Sequence, residues 1–187
     1  MADIPTSNPF TQLDLPIRFD LDASTIERAY LTKLASAHPD AGGAGPEHDD
    51  AASLNAARTI LLDAEQRANA LLAVLGGPSA LDCKDLPDGF LMEMMTRREE
   101  IEEQIGQADN QAGDQARANW ESWAHDERVS YSDSVSEKFG SLPRDESSIE
   151  RAHKLRDIRT LLNAWRYIER LIEQLDPAYD PASADFR

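Results

Sequence analysis

Apolar residues recur at helical spacing along most of this chain, and no segment shows the alternation typical of a half-buried strand. An apolar patch over residues 10–15 stops at Pro16 and predicts one or two helical turns. Further on, Ile26, Tyr30 and Leu34 are four residues apart and therefore share one face of a predicted helix. The N-terminal part thus begins as a succession of amphipathic helices.

Polar residues mark the ends of this second helix. Ser24-x-x-Glu27 matches a capping box at its start. The helix should end before the His-Pro step, because Pro39 disfavours helical dihedrals in the residue that precedes it. Residues 40–50 contain three glycines and a proline, which predicts a loop. A long helix is then predicted from about residue 50 to residue 75, and it would pair with the second helix as an antiparallel hairpin.

The second half of the chain predicts three more helices, over about residues 88–107, 114–139 and 146–175. Glycines within residues 106–113 predict a kink or a break, and residues 140–143 predict a turn. Three amphipathic helices bury their apolar stripes best by packing on one another. The predicted fold class is therefore all-α, with a helical hairpin followed by a three-helix bundle.

Composition and charge narrow the expected partners. The 187 residues include 19 lysines and arginines against 35 acidic residues, which gives a net charge of −16. Such a chain repels phosphate backbones and anionic lipids, so we expect neither a nucleic acid nor a membrane surface as partner. The single cysteine cannot form an internal disulfide, and the N-terminus lacks the basic start and apolar run of a signal peptide. We therefore expect a reducing, cytoplasmic setting.

No set of catalytic residues stands out. No histidine lies four residues from another, so there is no helical pair of metal ligands, and no CxxC pair is present. Cys83 lies between Asp82 and Lys84, whose opposite charges give no clear push towards a thiolate. We expect no metal, no cofactor and no enzymatic activity.

The most informative motif is His38-Pro39-Asp40, which stands between the two predicted amphipathic helices. Tyr30 and a leucine one turn later precede it, and Asn55 lies on the helix that follows. This order resembles the J-domain family of co-chaperones. The resemblance implies that the loop docks on an ATP-bound Hsp70, with Asp40 pairing with an Hsp70 arginine while His38 and Pro39 fix the turn.

The same resemblance implies that basic residues of the second helix, here Arg28 and Lys33, help to dock the Hsp70. The chain departs from the family where Ala41 and two glycines follow the motif in place of a basic residue. Residues 1–75 also contain five basic and eleven acidic residues, a difference of −6. An acidic J-domain should associate more slowly with an acidic Hsp70 surface.

Within the J-domain family, the chain resembles the HscB group of iron–sulfur co-chaperones. The resemblance rests on the opening NPFTQLDLPIRFDLD and on the segment FLMEMMTRREE at residues 90–100. It implies a J-domain over residues 1–75, a linker over 76–89, and a C-terminal helical domain with a loose tail over 90–187. In this group the C-terminal domain delivers an IscU-like scaffold protein to an HscA- or DnaK-like Hsp70.

The resemblance also implies a scaffold-binding face. Its apolar positions correspond to Leu91, Met92 and Met95, and its acidic positions to Glu99 and Glu103. Positions 92, 95, 99 and 103 share one face of a helix. From periodicity alone, however, Leu91 and Met95 would belong to the core of the bundle.

Three functions therefore compete. The first is an HscB-like co-chaperone that stimulates an Hsp70 ATPase and delivers an iron–sulfur scaffold. The second is a general J-domain co-chaperone of a DnaK-like Hsp70 with another client. It is motivated by Thr96 and Asp157, which stand where the group often has a glutamate and an aromatic contact. The third is a helical interaction protein without Hsp70 coupling, motivated by the weak basic character of the hairpin.

Overall fold

A computed structural model of the protein describes residues 8–36, 48–106 and 110–175, and seven α-helices lie within these ranges. They are α1 (Pro9–Gln12), α2 (Ala23–Ser36), α3 (His48–Leu62), α4 (Ala64–Val74), α5 (Phe90–Gly106), α6 (Asn110–Gly140) and α7 (Ile149–Leu175). The described residues form no strand, so the prediction of an all-α fold is confirmed. None of the described helices is both long enough and apolar enough to cross a bilayer.

The helices are grouped into two compact units. The first contains the chain up to Cys83 together with Val135–Arg159. The second contains Lys84–Ser134 and the chain from Thr160 onwards. The last turns of α6 and the first half of α7 therefore pack with the N-terminal helices. The domain boundaries inferred from the sequence stay a prediction.

The carboxylate of Asp22 starts α2. The backbone N–H of Thr25 donates to its Oδ1 at 2.8 Å, and the hydroxyls of Ser24 and Thr25 also donate to this carboxylate. These hydrogen bonds, that of Ser24 first, hold the pKa of Asp22 far below its usual range. The predicted capping box of Ser24 and Glu27 is wrong, because Glu27 instead accepts a 2.8 Å hydrogen bond from Nε of Arg58 on α3.

Helices α2 and α3 form the predicted antiparallel hairpin. The hydroxyl of Tyr30 donates to Oδ1 of Asn55 at 2.7 Å, one turn along from the pair of Glu27 and Arg58. Glu27 on α2 contacts Arg58 on α3, and Tyr30, further along α2, contacts Asn55, which comes earlier on α3. The two helices therefore run in opposite directions. The Arg58 guanidinium also lies 5.3 Å from the centroid of the Tyr30 ring. Beneath these polar contacts, the buried side chains of the hairpin are Ile26, Leu54, Ala57 and Leu61.

The single helix predicted over residues 50–75 is wrong, because the chain breaks at Asp63 into α3 and α4. Asp63 has an extended backbone, and its Oδ1 accepts the N–H of Gln66 at 2.8 Å, which starts α4. Arg67 donates to the carbonyl of Leu61 at the end of α3, and its Nε donates to the carbonyl of Phe19 at 3.0 Å. The guanidinium thus captures a carbonyl that a continuous helix would have used.

The second unit contains α5, the part of α6 up to Ser134 and the part of α7 from Thr160. Helix α5 ends at Gly106 and α6 begins at Asn110, and Gly113 lies inside α6. Residues 107–109, within the predicted kink or break, lie outside the described residues. Arg128 on α6 donates through Nε to Glu169 on α7 at 2.8 Å, and Trp165 donates to the same carboxylate at 2.7 Å. The core cluster of this unit consists of Phe90, Met94, Ala124, Ala164 and Ile168, with Leu86, Trp123, Tyr131 and Ile172 packed against it.

Candidate partner-binding faces

The motif His38-Pro39-Asp40 lies outside the described residues. The helices on either side of it are described, because α2 ends at Ser36 and α3 begins at His48. The motif therefore belongs to the connection between two antiparallel helices, as its position in the sequence predicts.

The two basic residues predicted to accompany the motif lie on the same side of α2. Arg28 and Lys33 both border a hollow of about 370 Å³. Lys33 forms an ion pair with Asp14, whose backbone has a left-handed φ of 53°. Such a conformation is uncommon outside glycine but is adopted by aspartate more often than by most residues. Within the described residues, Arg28 has no ion-pair partner, so it supplies the unpaired positive charge of this face.

The pair of Lys33 and Asp14 leaves the lysine able to exchange partners. The Asp14 side chain is mostly exposed, and an exposed ion pair contributes only about 0–1 kcal/mol. A carboxylate of a binding partner could therefore replace Asp14 at little cost. This face of α2 thus has one unpaired cation, Arg28, and one that is weakly held, Lys33.

Helix α5 separates its apolar residues into two sets. Phe90 and Met94 are buried in the core cluster, at 5% and 9% exposure. Leu91, Met92 and Met95 are exposed at 53%, 75% and 65%. The interpretation that Leu91 and Met95 belong to the core of the bundle is therefore wrong. We call Leu91, Met92 and Met95 the methionine face.

The methionine face borders a groove of about 790 Å³. The groove lies between α5 and the segment that precedes it, and its lining includes Lys84, Leu86, Pro87, Asp88, Gly89, Thr96 and Glu99. Asn163 on α7 fixes this segment by donating through Nδ2 to the carbonyl of Asp85 at 2.9 Å. Leu86 packs against the core cluster, which ties the wall of the groove to the interior.

The wall of this groove does not follow from the sequence, because the pattern of residues 76–89 predicts only a linker. The apolar Leu86-Pro87 step was the available signal. Of the two acidic positions predicted for this face, Glu99 lines the groove. Glu103 is exposed on α5 but does not line it.

The acidic residues of α5 differ in their partners. Arg97 pairs with Glu100 at 3.2 Å and with Glu93 at 3.9 Å, and its guanidinium lies 5.4 Å from the centroid of the Trp123 ring. Among the described residues, neither Glu99 nor Glu103 has an ion-pair partner. These two carboxylates are therefore open to a basic partner next to the methionine face.

No group of three or more metal-ligating side chains comes together in the described ranges. Cys83 is a buried thiol.

No family model matches the chain. Among curated proteins, it is 35% identical over 105 residues to the co-chaperone protein HscB homolog of Mannheimia succiniciproducens, which covers 52% of this chain and 61% of that protein. It is 35% identical over 112 residues to the HscB homolog of Vibrio cholerae serotype O1, with coverages of 56% and 66%. The chain thus spans slightly less than two thirds of the length of these relatives.

Two solved structures share the fold. The crystal structure of human co-chaperone protein HscB aligns with a TM-score of 0.67 at 22% identity, over 91% of this chain and 81% of that one. The chaperone HscB from Vibrio cholerae aligns with a TM-score of 0.56 at 26% identity, over 91% and 100%. The resemblance inferred from the sequence is thus confirmed. The protein is similar to the HscB co-chaperones in sequence over about half of the chain and in fold over most of it.

Proposed function

We propose that this protein is a cytoplasmic co-chaperone that stimulates the ATPase of an HscA- or DnaK-like Hsp70 and delivers an IscU-like iron–sulfur scaffold protein to it. It acts by binding and is not itself an enzyme. The observation that carries the proposal is the methionine face on α5, in a chain that also has a His-Pro-Asp motif between two antiparallel helices. The likeness to proteins named HscB supports both contacts.

The Hsp70 contact depends on charge. Asp40 would pair with an arginine of the ATP-bound Hsp70, and His38 and Pro39 would set the turn that presents it. Arg28 and Lys33 would add contacts from α2. Removing one partner of a close interfacial charge pair typically costs about 2–5 kcal/mol, so Asp40 should dominate this contact.

The scaffold contact depends on apolar burial. Covering a large apolar side chain completely contributes about 1.5–3 kcal/mol, and the three residues of the methionine face are each more than half exposed. Methionine adapts its shape to a partner, which suits a client surface that must later be released. Glu99 and Glu103 would pair with basic residues at the edge of the contact.

The first experiment measures ATP turnover of a dedicated Hsp70 with this protein and the scaffold together. We expect joint stimulation above that given by either alone. Asp40→Asn should abolish the stimulation, because the amide cannot pair with the Hsp70 arginine as a charge. Asp126→Asn, an exposed carboxylate on α6, is the matched control and should leave turnover unchanged. Absence of joint stimulation by the wild type would contradict the proposal.

The second experiment measures capture of the scaffold on the immobilised protein. Met92→Ala combined with Met95→Ala should lose the scaffold but keep the stimulation of the Hsp70 without it. Leu81→Ala, which removes an exposed leucine outside the groove, should bind normally. Undiminished capture by the double variant would refute the place of the methionine face in the scaffold contact. Failure of the wild type to capture the scaffold would favour the second function, a general J-domain co-chaperone with another client. Thr96 in the groove, where the HscB resemblance implies a glutamate, is the observation in its favour.

A further inference from the structure

The first unit contains another hollow, of about 320 Å³, which neither proposed contact uses. It is formed by the connection between α1 and α2, the C-terminal ends of α4 and α6, the connection between α6 and α7, and the first turn of α7. It shares no lining residue with the hollow on α2 or with the groove on α5. Its volume is near the lower end for ligand pockets, about 300–1,000 Å³.

The floor of this hollow is apolar and held in place. The rings of Phe19 and Phe139 stack with their centroids 6.0 Å apart, and Leu71 beside them is buried. The hydroxyl of Ser136 donates to Oδ1 of Asp20 at 2.7 Å, which ties the end of α6 to the α1–α2 connection. The floor is therefore a preformed surface for one large apolar side chain.

The rim of the hollow is positively charged. Arg18, Arg144 and Arg151 line it, against one carboxylate, that of Asp20. Arg151 is only 9% exposed, and one of its terminal nitrogens donates to the carbonyl of Pro143 at 2.8 Å. Arg18 and Arg144 are exposed and have no ion-pair partner among the described residues. The charge around this hollow is therefore positive, although the chain as a whole has a net charge of −16.

We infer that this hollow binds an extended peptide segment in which an acidic residue stands next to a large apolar residue. The apolar side chain would cover the stacked rings of Phe19 and Phe139. The carboxylate would lie between the guanidinium groups, which match a carboxylate with two parallel hydrogen bonds. The inference rests on charge complementarity and on the apolar floor, and it goes beyond the proposed function because it adds a third contact for an acidic partner.

The test uses the full-length protein and three labelled peptides in fluorescence anisotropy. The probe is acetyl-Gly-Glu-Phe-Glu-Leu-Gly-amide. One comparison peptide replaces both glutamates by glutamine, and the other replaces phenylalanine and leucine by serine. The glutamine peptide lacks the charge-assisted hydrogen bonds, and the serine peptide lacks the apolar side chains that would cover the floor. Each comparison peptide should therefore bind at least about tenfold more weakly than the probe. Raising the salt concentration should weaken the binding of the two peptides that keep their glutamates but not that of the glutamine peptide.

Variants locate the binding. Arg18→Ala and Arg144→Ala remove exposed side chains, so the fold should persist, and each should weaken the glutamate peptide about tenfold. Arg156→Ala is the matched control, because it removes an exposed arginine from α7 outside the hollow. Equal binding of the glutamine peptide, or wild-type binding by Arg144→Ala, would overturn the inference. Binding of dodecanoate in place of the peptide would also overturn it, by assigning the hollow to a lipid carboxylate.

Discussion

Alanine substitutions at Met92 and Met94 separate the exposed and buried sides of α5. Met94 is 9% exposed, so truncation loses about 2 kcal/mol of transfer free energy at ~0.8 kcal/mol per methylene-sized group. The cavity left in the core raises the expected loss in the free energy of unfolding to about 2–4 kcal/mol. Met92 is 75% exposed, so the same arithmetic gives about 0.5 kcal/mol, partly offset by the better helix propensity of alanine.

The assay is urea or thermal unfolding followed by circular dichroism, together with scaffold capture. At about 2–4 °C per kcal/mol for a chain of this size, Met94→Ala should lower the melting temperature by roughly 5–15 °C and Met92→Ala by less than about 2 °C. Scaffold capture should follow the opposite order, with the greater loss in Met92→Ala. Equal destabilisation by the two substitutions would refute the assignment of Met92 to a free surface. Normal capture by Met92→Ala would refute its place in the scaffold contact.

Three further substitutions test single contacts. Asp14→Asn removes the ion-pair partner of Lys33, so it should raise Hsp70 stimulation about twofold at low salt, and an unchanged turnover would count against a docking role for Lys33. Asp63→Ala removes the acceptor for the N–H of Gln66 and should lower the free energy of unfolding by about 1 kcal/mol, whereas Asp63→Asn keeps a good N-cap; equal losses would refute the capping role. Burial raises the pKa of Glu127, so the folded protein binds this proton more tightly than the unfolded chain, and stability should fall as pH rises from the usual glutamate value through the raised one. In Glu127→Gln, the urea concentration at the midpoint of unfolding should depend less on pH across that range. A dependence on pH as steep as that of the wild type would contradict this reasoning.

The hairpin of the N-terminal part could be predicted because its signals are local. The apolar spacing on α2 and the His-Pro step after it indicate a helix and its end without tertiary information. The break at Asp63 could not be predicted in the same way. The residues around it continue a helical pattern, and at the break Arg67 donates to the carbonyls of Leu61 and Phe19. Phe19 is distant in sequence, so only the fold brings this acceptor to the guanidinium.

The grouping of Val135–Arg159 with the N-terminal helices is also a tertiary result. Arg159 on α7 donates to Oδ1 of Asn69 on α4 at 2.6 Å, and Phe139 on α6 stacks on Phe19. Arg159, Asn69 and Phe139 each lie within a regular helix, whereas Phe19 lies in the connection between α1 and α2. Apolar periodicity predicts which side of a helix is buried but not which other helices pack against it. The sequence therefore predicts α6 and α7 as helices but does not predict that one part of each belongs to the first unit and the other part to the second.

The angular positions of residues around the axis of α5 explain why its exposed apolar residues lie together on one face. At about 100° per residue, Phe90 and Met94 lie roughly 40° apart, whereas Leu91, Met92 and Met95 lie roughly 100–200° from Phe90. A single buried stripe is about 100° wide, so a helix that buries Phe90 and Met94 in one core cannot also bury the other three. The surplus is costly in isolation, because an exposed apolar patch promotes unspecific association. Five apolar residues in six positions therefore exceed what one core can hold. This excess, together with the phase set by Phe90, supports the proposal that a partner covers the methionine face.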